Sequence, residues 1–292
     1  MTGLLLLDKP PGLTSFFAVA RVRRQLGEKK AGHTGTLDPM ATGVLPILLG
    51  GATRFADYLP SHDKAYLAQF QLGIVTDTLD TTGTVIGGEP RNVSLAQLQQ
   101  ALAGFRGKIR QTPPMVSALK KDGVRLYALA RQGVEIEREA REVEVFRLEL
   151  HDERTLLVEC SAGTYVRSLI DDLGRVLGCG AAMSALRRTK ANGYDIAQCV
   201  TLERLETCSV QNTPAPVLPI ETALASYPPV TVSEAQARRF GNGGALDLTR
   251  LRDLPAEMAR FWRVLDPDGV FLGLGRPDPN ASALTVERLL IR

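Results

Sequence analysis

Lys29 to Gly43 reads Lys-Lys-Ala-Gly-His-Thr-Gly-Thr-Leu-Asp-Pro-Met-Ala-Thr-Gly. Three glycines and a proline punctuate it, and neither helical nor strand periodicity runs through it. The spacing predicts a long irregular loop, and such loops inside compact domains tend to carry function. Asp38 sits in it between Leu37 and Pro39. An Asp before Pro is a good turn former. A lone carboxylate can also be a nucleophile, provided a cation keeps it ionised in a closed pocket. No second acid is spaced nearby to make a glycosidase pair. His33 lies five residues earlier, and ordinary loop hydrogen bonds account for it. His62 and His151 have no spacing that would complete a metal site.

Upstream, Gly3 to Lys9 reads as a buried strand ended by Pro10, Pro11 and Gly12. Thr14 and Ser15 are N-cap residues for a helix from Phe16 to Leu26, with Gly27 as its stop. Downstream, Tyr66 to Leu72 fits a strand, with Tyr66 either a core aromatic or a platform for a base. Gly73 to Gly83 is turn-rich, and Ser94 caps a short helix with Leu95, Leu98 and Leu102 on one face. Glu142 to Leu150 and Leu156 to Ser161 read as antiparallel strands. Thr164 to Leu177 is a helix: Val166, Leu169, Ile170, Leu173, Val176 and Leu177 keep helical spacing, and Gly178 ends it. Arg167, Asp171 and Arg175 fall on another face. Arg167 is either a snorkelling arginine or the counter-ion that a buried Asp requires. Together these elements predict an α+β fold with a largely antiparallel central sheet.

Gly104 to Arg131 carries seven basic residues, Lys120 and Arg131 among them, against the single acid Asp122. Interleaved with Pro113, Pro114, Gly123 and Tyr127, it reads as a solvated face or as a mobile arm that meets phosphates. The chain as a whole, with 35 Lys and Arg against 32 Asp and Glu in 292 residues, is too mildly basic to be a nucleic-acid binder by bulk charge. Its length predicts about two domains. Five of the 17 prolines fall between Ser209 and Pro229, which places a boundary at 229/230 and a small β-rich domain over 230–292. The four cysteines make no Cys-x-x-Cys pair, and the opening apolar run Leu4 to Leu7 is too short for a bilayer or a signal peptide. The expectation is a reduced, cytoplasmic protein without a metal.

In order along the chain, these segments resemble one family, the TruB-type tRNA pseudouridine synthases of bacteria. Lys9-Pro10-Pro11-Gly12-Leu13-Thr14-Ser15 resembles its opening motif, and Gly32 to Pro39 with Ala41 to Pro46 its catalytic loop. Lys64-Ala65-Tyr66, the Thr76-Asp77-Thr78 and Asp80 segment, Gly163-Thr164-Tyr165-Val166-Arg167 and Leu186-Arg187-Arg188 follow. Ser117 to Lys120 and Leu126 to Gly133 resemble an RNA-gripping insertion over about 104–142, where Val116 replaces the usual tyrosine.

The resemblance implies a pseudouridine-synthase fold over 1–229 and a PUA-like RNA-binding domain over 230–292. It implies isomerisation of uridine to pseudouridine at position 55 of the tRNA T-loop, by base flipping and without a cofactor. Asp38 would be the nucleophile, with attack on ribose C1′, attack on the base and deprotonation at C2′ all left open. Arg167 would pair with Asp38, Tyr66 would stack on the uracil and help move the C5 proton, and Tyr165 and Leu186 would line the base pocket. His33, Lys120 and Arg131 would contact RNA. A monomer with no obligate protein partner is expected. Two other readings stay open: an RNA-guided synthase of a ribonucleoprotein, and a tRNA-folding chaperone that needs no catalysis. The basic insertion favours the stand-alone form.

Overall fold

Leu4 to Leu7 are all buried, and they form the middle of β1 (Gly3–Lys9). Alternation along the strand sends Leu5 and Leu7 into one core and Leu4 and Leu6 into another. This strand is therefore covered on both faces. The computed structural model describes the chain except Ala118, Asp122, Arg131, Glu135, Glu257 and Arg292; at Lys120, Lys121, Arg125, Tyr127 and Ala128 it describes the backbone alone.

Thr14 caps α1 (Ser15–Gln25) by accepting from the Phe17 amide. The stretch predicted to be irregular is partly a strand: β2 (Ala31–His33) pairs with β3 (Thr42–Leu49). Its three residues are too few to show a period, and the irregular parts of the stretch are Lys29-Lys30 and Thr34 to Ala41. Next come β4 (Lys64–Leu72), the short pair β5 (Val75–Thr76) and β6 (Val85–Gly87), and α2 (Leu95–Ala103). Leu98 and Leu102 are buried in α2, but Leu95 is exposed. It occupies the first turn and faces an open cleft that Phe70, Leu72 and Leu98 also line.

The basic stretch is not an arm throughout. β7 (Gly107–Gln111) is the outermost strand of the main sheet, where Lys108 pairs with Glu142 and Arg110 donates to the Ala140 carbonyl. The chain leaves the sheet only after Gln111, through the two-residue strands β8 (Lys120–Lys121) and β9 (Val124–Arg125) and the helix α3 (Leu126–Ala130). It returns as β10 (Arg141–Asp152) and β11 (Thr155–Cys160), which are antiparallel.

α4 (Val166–Val176) buries Val166, Leu169, Ile170 and Leu173 but leaves Val176 exposed, since the helix ends past the sheet. It packs on β12 (Ala181–Ala191) so closely that a Cβ on Gly174 would lie 2.1 Å from the Ala181 nitrogen. β13 (Tyr194–Asp195), α5 (Leu202–Val210), β14 (Val217–Leu218) and α6 (Ile220–Ala223) complete this part. The main sheet runs β14-β1-β3-β12-β4-β11-β10-β7, with β2 on β3 and β13 on β12. Among the described residues of this sheet, only β3 and β12 pair in parallel. They approach at Gly43, whose φ is +103° and whose Cβ position lies 2.1 Å from the Arg188 carbonyl oxygen, so no side chain fits there. The fold is thus mixed α and β with a largely antiparallel sheet.

β15 (Pro229–Thr231), α7 (Glu234–Gly241), β16 (Leu246–Asp247), β17 (Trp262–Leu265), β18 (Phe271–Asp278) and β19 (Ala283–Leu289) follow. Their sheet runs β15-β17-β18-β19-β16. It has its own core around Trp262 and Phe240. Phe261, Phe271 and Leu274 also join Leu4, Leu6, Leu48 and Phe55 in a shared cluster. No described helix is long and apolar enough to cross a membrane.

The α4–β12 contact has a measurable consequence. Gly174→Ala forces a methyl group against backbone that cannot move aside, and overpacking of this kind costs about 1–3 kcal/mol. We expect a fall of that size in chemical denaturation. Unchanged stability would mean that helix and strand are less tightly packed than described here.

Candidate active site

The loop from Thr34 to Ala41 is built to hold one carboxylate still. Ser15 is buried at the start of α1; its hydroxyl donates to the Leu37 carbonyl at 3.0 Å and accepts from the Leu37 amide at 2.8 Å. Lys9 is wholly buried at the end of β1, and its ammonium donates to the carbonyls of Pro10, Leu13 and Pro39. Burial lowers its pKa to about 8 against the pull of Asp38. On the other side Arg188, also wholly buried, donates to Val44 O at 2.7 Å, Gly35 O at 3.0 Å and Thr36 O at 3.4 Å. Backbone carbonyls that would otherwise be orphaned are thus satisfied by three side chains.

Asp38 meets Arg167 through both carboxylate oxygens. The Arg167 Nε lies 3.0 Å from Oδ2, and its Nη2 donates to Oδ1 at 3.3 Å. Arg167 is 4% exposed and Asp38 33%, so the cation is the floor and the acid faces the opening. The guanidinium also donates to the carbonyls of Thr78 and Val116, both at 2.8 Å, and lies 3.8 Å from Asp80. Asp80 is itself fixed by the hydroxyls of Thr78 and Thr82 and by the Thr82 amide. Burial raises the Asp38 pKa, and the Asp80 charge adds to the rise; Arg167 and Lys9 oppose it.

Above this pair is a cavity of about 310 Å³, at the small end of ligand sites, which span roughly 300–1,000 Å³. Asp38, Tyr66, Tyr165, Arg167 and Leu186 line it, with Lys64 and Leu119. Tyr66 comes from β4 and Leu186 from the adjacent β12, and both are buried. Burial pushes the Tyr66 phenol up to about 12, with Arg188 bonded to it. It is a neutral phenol at physiological pH. Tyr165 begins α4, where the buried Gln111 amide clamps it: Gln111 accepts from the Tyr165 amide at 2.7 Å and donates to its carbonyl at 3.0 Å. Five residues singled out in the sequence thus come together from four separate segments.

His33 is half-buried on β2 and does not line the cavity. Arg131 and the side chain of Lys120 lie outside the described residues. Sequence reasoning gave no role in the site to Lys9, Asp80, Gln111 or Arg188, and read Ser15 only as a helix cap. Lys9, Ser15, Asp80 and Arg188 stand inside quoted motifs, and that membership was the usable signal for them. Val116 contributes its carbonyl, so the missing tyrosine side chain leaves this contact with Arg167 in place.

Solved structures share the fold. One described as a Cbf5-Nop10-Gar1 complex matches with a TM-score of 0.72 at 28% identity, covering 99% of this chain and 85% of that one. Another, an H/ACA RNP bound to a substrate RNA containing 2′-deoxyuridine, matches with a TM-score of 0.72 at 26% identity, over 99% and 85% of the two chains. The fold is that of the pseudouridine synthases, enzymes that turn a uridine into its C-linked isomer.

Residues 23–166 match the N-terminal domain of the TruB family pseudouridylate synthases. Residues 167–225 match the tRNA pseudouridylate synthase B C-terminal domain, and 228–290 the C-terminal domain of pseudouridine synthase II TruB. A tRNA pseudouridine synthase B of Stutzerimonas stutzeri is 45% identical over 94% of this chain and 91% of its own length. One of Aromatoleum aromaticum is 44% identical over 99% and 92%. The chain belongs to the TruB family of pseudouridylate synthases.

The Asp38 environment fixes the sign of a pH effect. If Asp38 attacks or takes a proton it must be ionised to do so, and turnover is then expected to rise with pH through its pKa. Arg167→Gln removes the stabilising cation and leaves Asp38 facing Asp80. The acid limb of the rate profile should then move to higher pH, with a lower plateau. An acid limb that stays in place would separate Arg167 from Asp38 ionisation.

Proposed function

We propose that this chain isomerises uridine to pseudouridine at position 55 of the tRNA T-loop, unaided by a guide RNA or a cofactor. The observation that carries the reading is the bidentate Asp38–Arg167 pair at the floor of a cavity sized for a nucleobase. The relatives named tRNA pseudouridine synthase B support the choice of tRNA.

The target base must leave the folded loop to reach that floor, which costs a few kcal/mol of unstacking. In the cavity Tyr66 stacks on the uracil, and Leu186 and Tyr165 close around it. Asp38 acts at the joined ribose and base, and Arg167 keeps its charge and orientation. The bond between N1 and C1′ breaks, the uracil turns, and C5 bonds to C1′. The C5 proton leaves and N1 gains one, so composition and oxidation state are unchanged. Tyr66, a neutral phenol, sits at the base and can pass that proton. The insertion with Lys120 and Arg131, the His33 side chain and the PUA-like domain over 230–292 hold the RNA, and their contacts offset the unstacking cost. The monomer works in the cytoplasm.

The solved ribonucleoprotein relatives favour a second reading, a guide-dependent enzyme. Tritium release from an unmodified tRNA transcript labelled at uridine C5, with purified protein alone, separates the two. We expect release at one T-loop position, and none with Asp38→Asn while tRNA binding persists. Tight binding without release in the unaltered protein would favour the guide-dependent enzyme or a folding chaperone. The phosphate contacts predict a second result: affinity for tRNA falls steeply between low and physiological salt, about 0.7–0.9 in the log–log slope per phosphate contacted. A flat salt profile would remove the basic surfaces from RNA binding.

A further inference from the structure

α1 turns an aromatic pair to solvent. Its buried face is Ser15, Ala18, Val19 and Val22. On the opposite side Phe16 is 73% exposed and Phe17 59%. Their ring centroids are 5.8 Å apart at an interplanar angle of 75°, so flat ring surface stays open. Neither ring fills the core, and two adjacent exposed phenylalanines make a contact surface.

Two observations say what covers it. The pair is tied to the catalytic loop. Ser15, the residue before it, holds Leu37 by two hydrogen bonds, and the Gly12 amide donates to Pro39 O at 2.8 Å. Lys9 joins Leu13 to Pro39 from below. The rings are therefore one residue along the chain from the clamp on the neighbour of Asp38. The surface beyond them is also cationic. Arg21, Arg23 and Arg24 follow on the exposed side of a helix without an acidic residue, and Lys29 and Lys30 are exposed after it. Arg21 is paired with Glu206, and the intervening Glu28 with the chain's amino terminus. Arg23, Arg24, Lys29 and Lys30 remain for an anionic partner.

We propose that Phe16 and Phe17 form a stacking platform for unpaired bases of the RNA substrate beside the target uridine, with Arg23, Arg24, Lys29 and Lys30 meeting the backbone phosphates. The proposal rests on the RNA-modifying reading above. Aromatic faces stack on any base, and a cationic track beside them follows the phosphates.

Binding of an unmodified tRNA transcript across a salt series tests this. Compared with the unaltered protein are Phe16→Ala with Phe17→Ala, the corresponding Leu and Tyr pairs, and Arg23→Ala with Arg24→Ala. Because the rings are exposed, all should keep the melting temperature. The Ala and Leu pairs should each weaken affinity about tenfold or more at every salt concentration, leaving the salt slope alone. The Tyr pair should restore it. The arginine pair should instead reduce the slope by between about one and two. Full affinity in the Ala pair overturns the proposal. Full affinity in the Leu pair does so too, since it would mean apolar contact without stacking. Concentration-dependent self-association that the Ala pair abolishes, with RNA affinity intact, would assign the face to a second copy of the chain. Failure of the unaltered protein to bind and modify tRNA would sink both readings, whereas normal binding and release with unaffected Phe variants would sink this one alone.

Discussion

A guanidinium with five donors, buried to 4% exposure, has to be satisfied from the protein. Arg167 meets that demand with Asp38, the carbonyls of Thr78 and Val116, and the nearby Asp80. These partners come from the catalytic loop, the turn after β5 and the segment after β7. The donor stands on α4, which Gly174 lets lie directly on β12. One buried cation thus fixes where four stretches of chain meet. The fork geometry matters as well as the charge, because an ammonium could not bond two carboxylate oxygens and two carbonyls in one plane.

The charges around this point nearly cancel. Asp38 and Asp80 face Arg167, and Lys9 adds a second cation whose field reaches Asp38. Burial works against all of them, which is why the Asp38 pKa rises and that of Lys9 falls. Without the two cations, desolvation and Asp80 would favour a neutral, unreactive Asp38. Lys9 bonds the loop carbonyl of Pro39 and Arg188 those of Gly35 and Thr36, so buried cations outside the loop help to set its shape.

Much of this was legible from residue order. The leucine run of β1, the cap at Thr14, the antiparallel pair β10 and β11, and the periodic face of α4 all follow from local pattern. Asp38 stood out as a carboxylate in a Gly-punctuated loop, but its partner could not be chosen by spacing: Arg167 is 129 positions away. A polar helical position is ambiguous until the sheet behind it is known, which is why Arg167, buried here like Asp171, stayed open between a snorkelling side chain and a counter-ion. β2 was missed because three residues cannot show a period. β7 was missed because its lysine and arginine hid an edge strand whose charges pair along β10. The family resemblance supplied the roles that single residues could not.

The shared cluster of Leu4, Leu6, Leu48 and Phe55 with Phe261, Phe271 and Leu274 bears on how the C-terminal sheet works. β1 sends alternate leucines toward the catalytic core and toward this cluster, so the two sheets stabilise the same strand from opposite sides. Tyr58 strengthens the junction: it donates to Glu287, accepts from Arg288, and packs edge-on against Phe261. A domain hung on a loose linker would move independently of the cavity. Here Lys9, which ends β1, is bonded to the catalytic loop, so the strand that holds the C-terminal sheet also holds the loop carrying Asp38. RNA bound at the far sheet would be placed relative to Asp38 through this packed path.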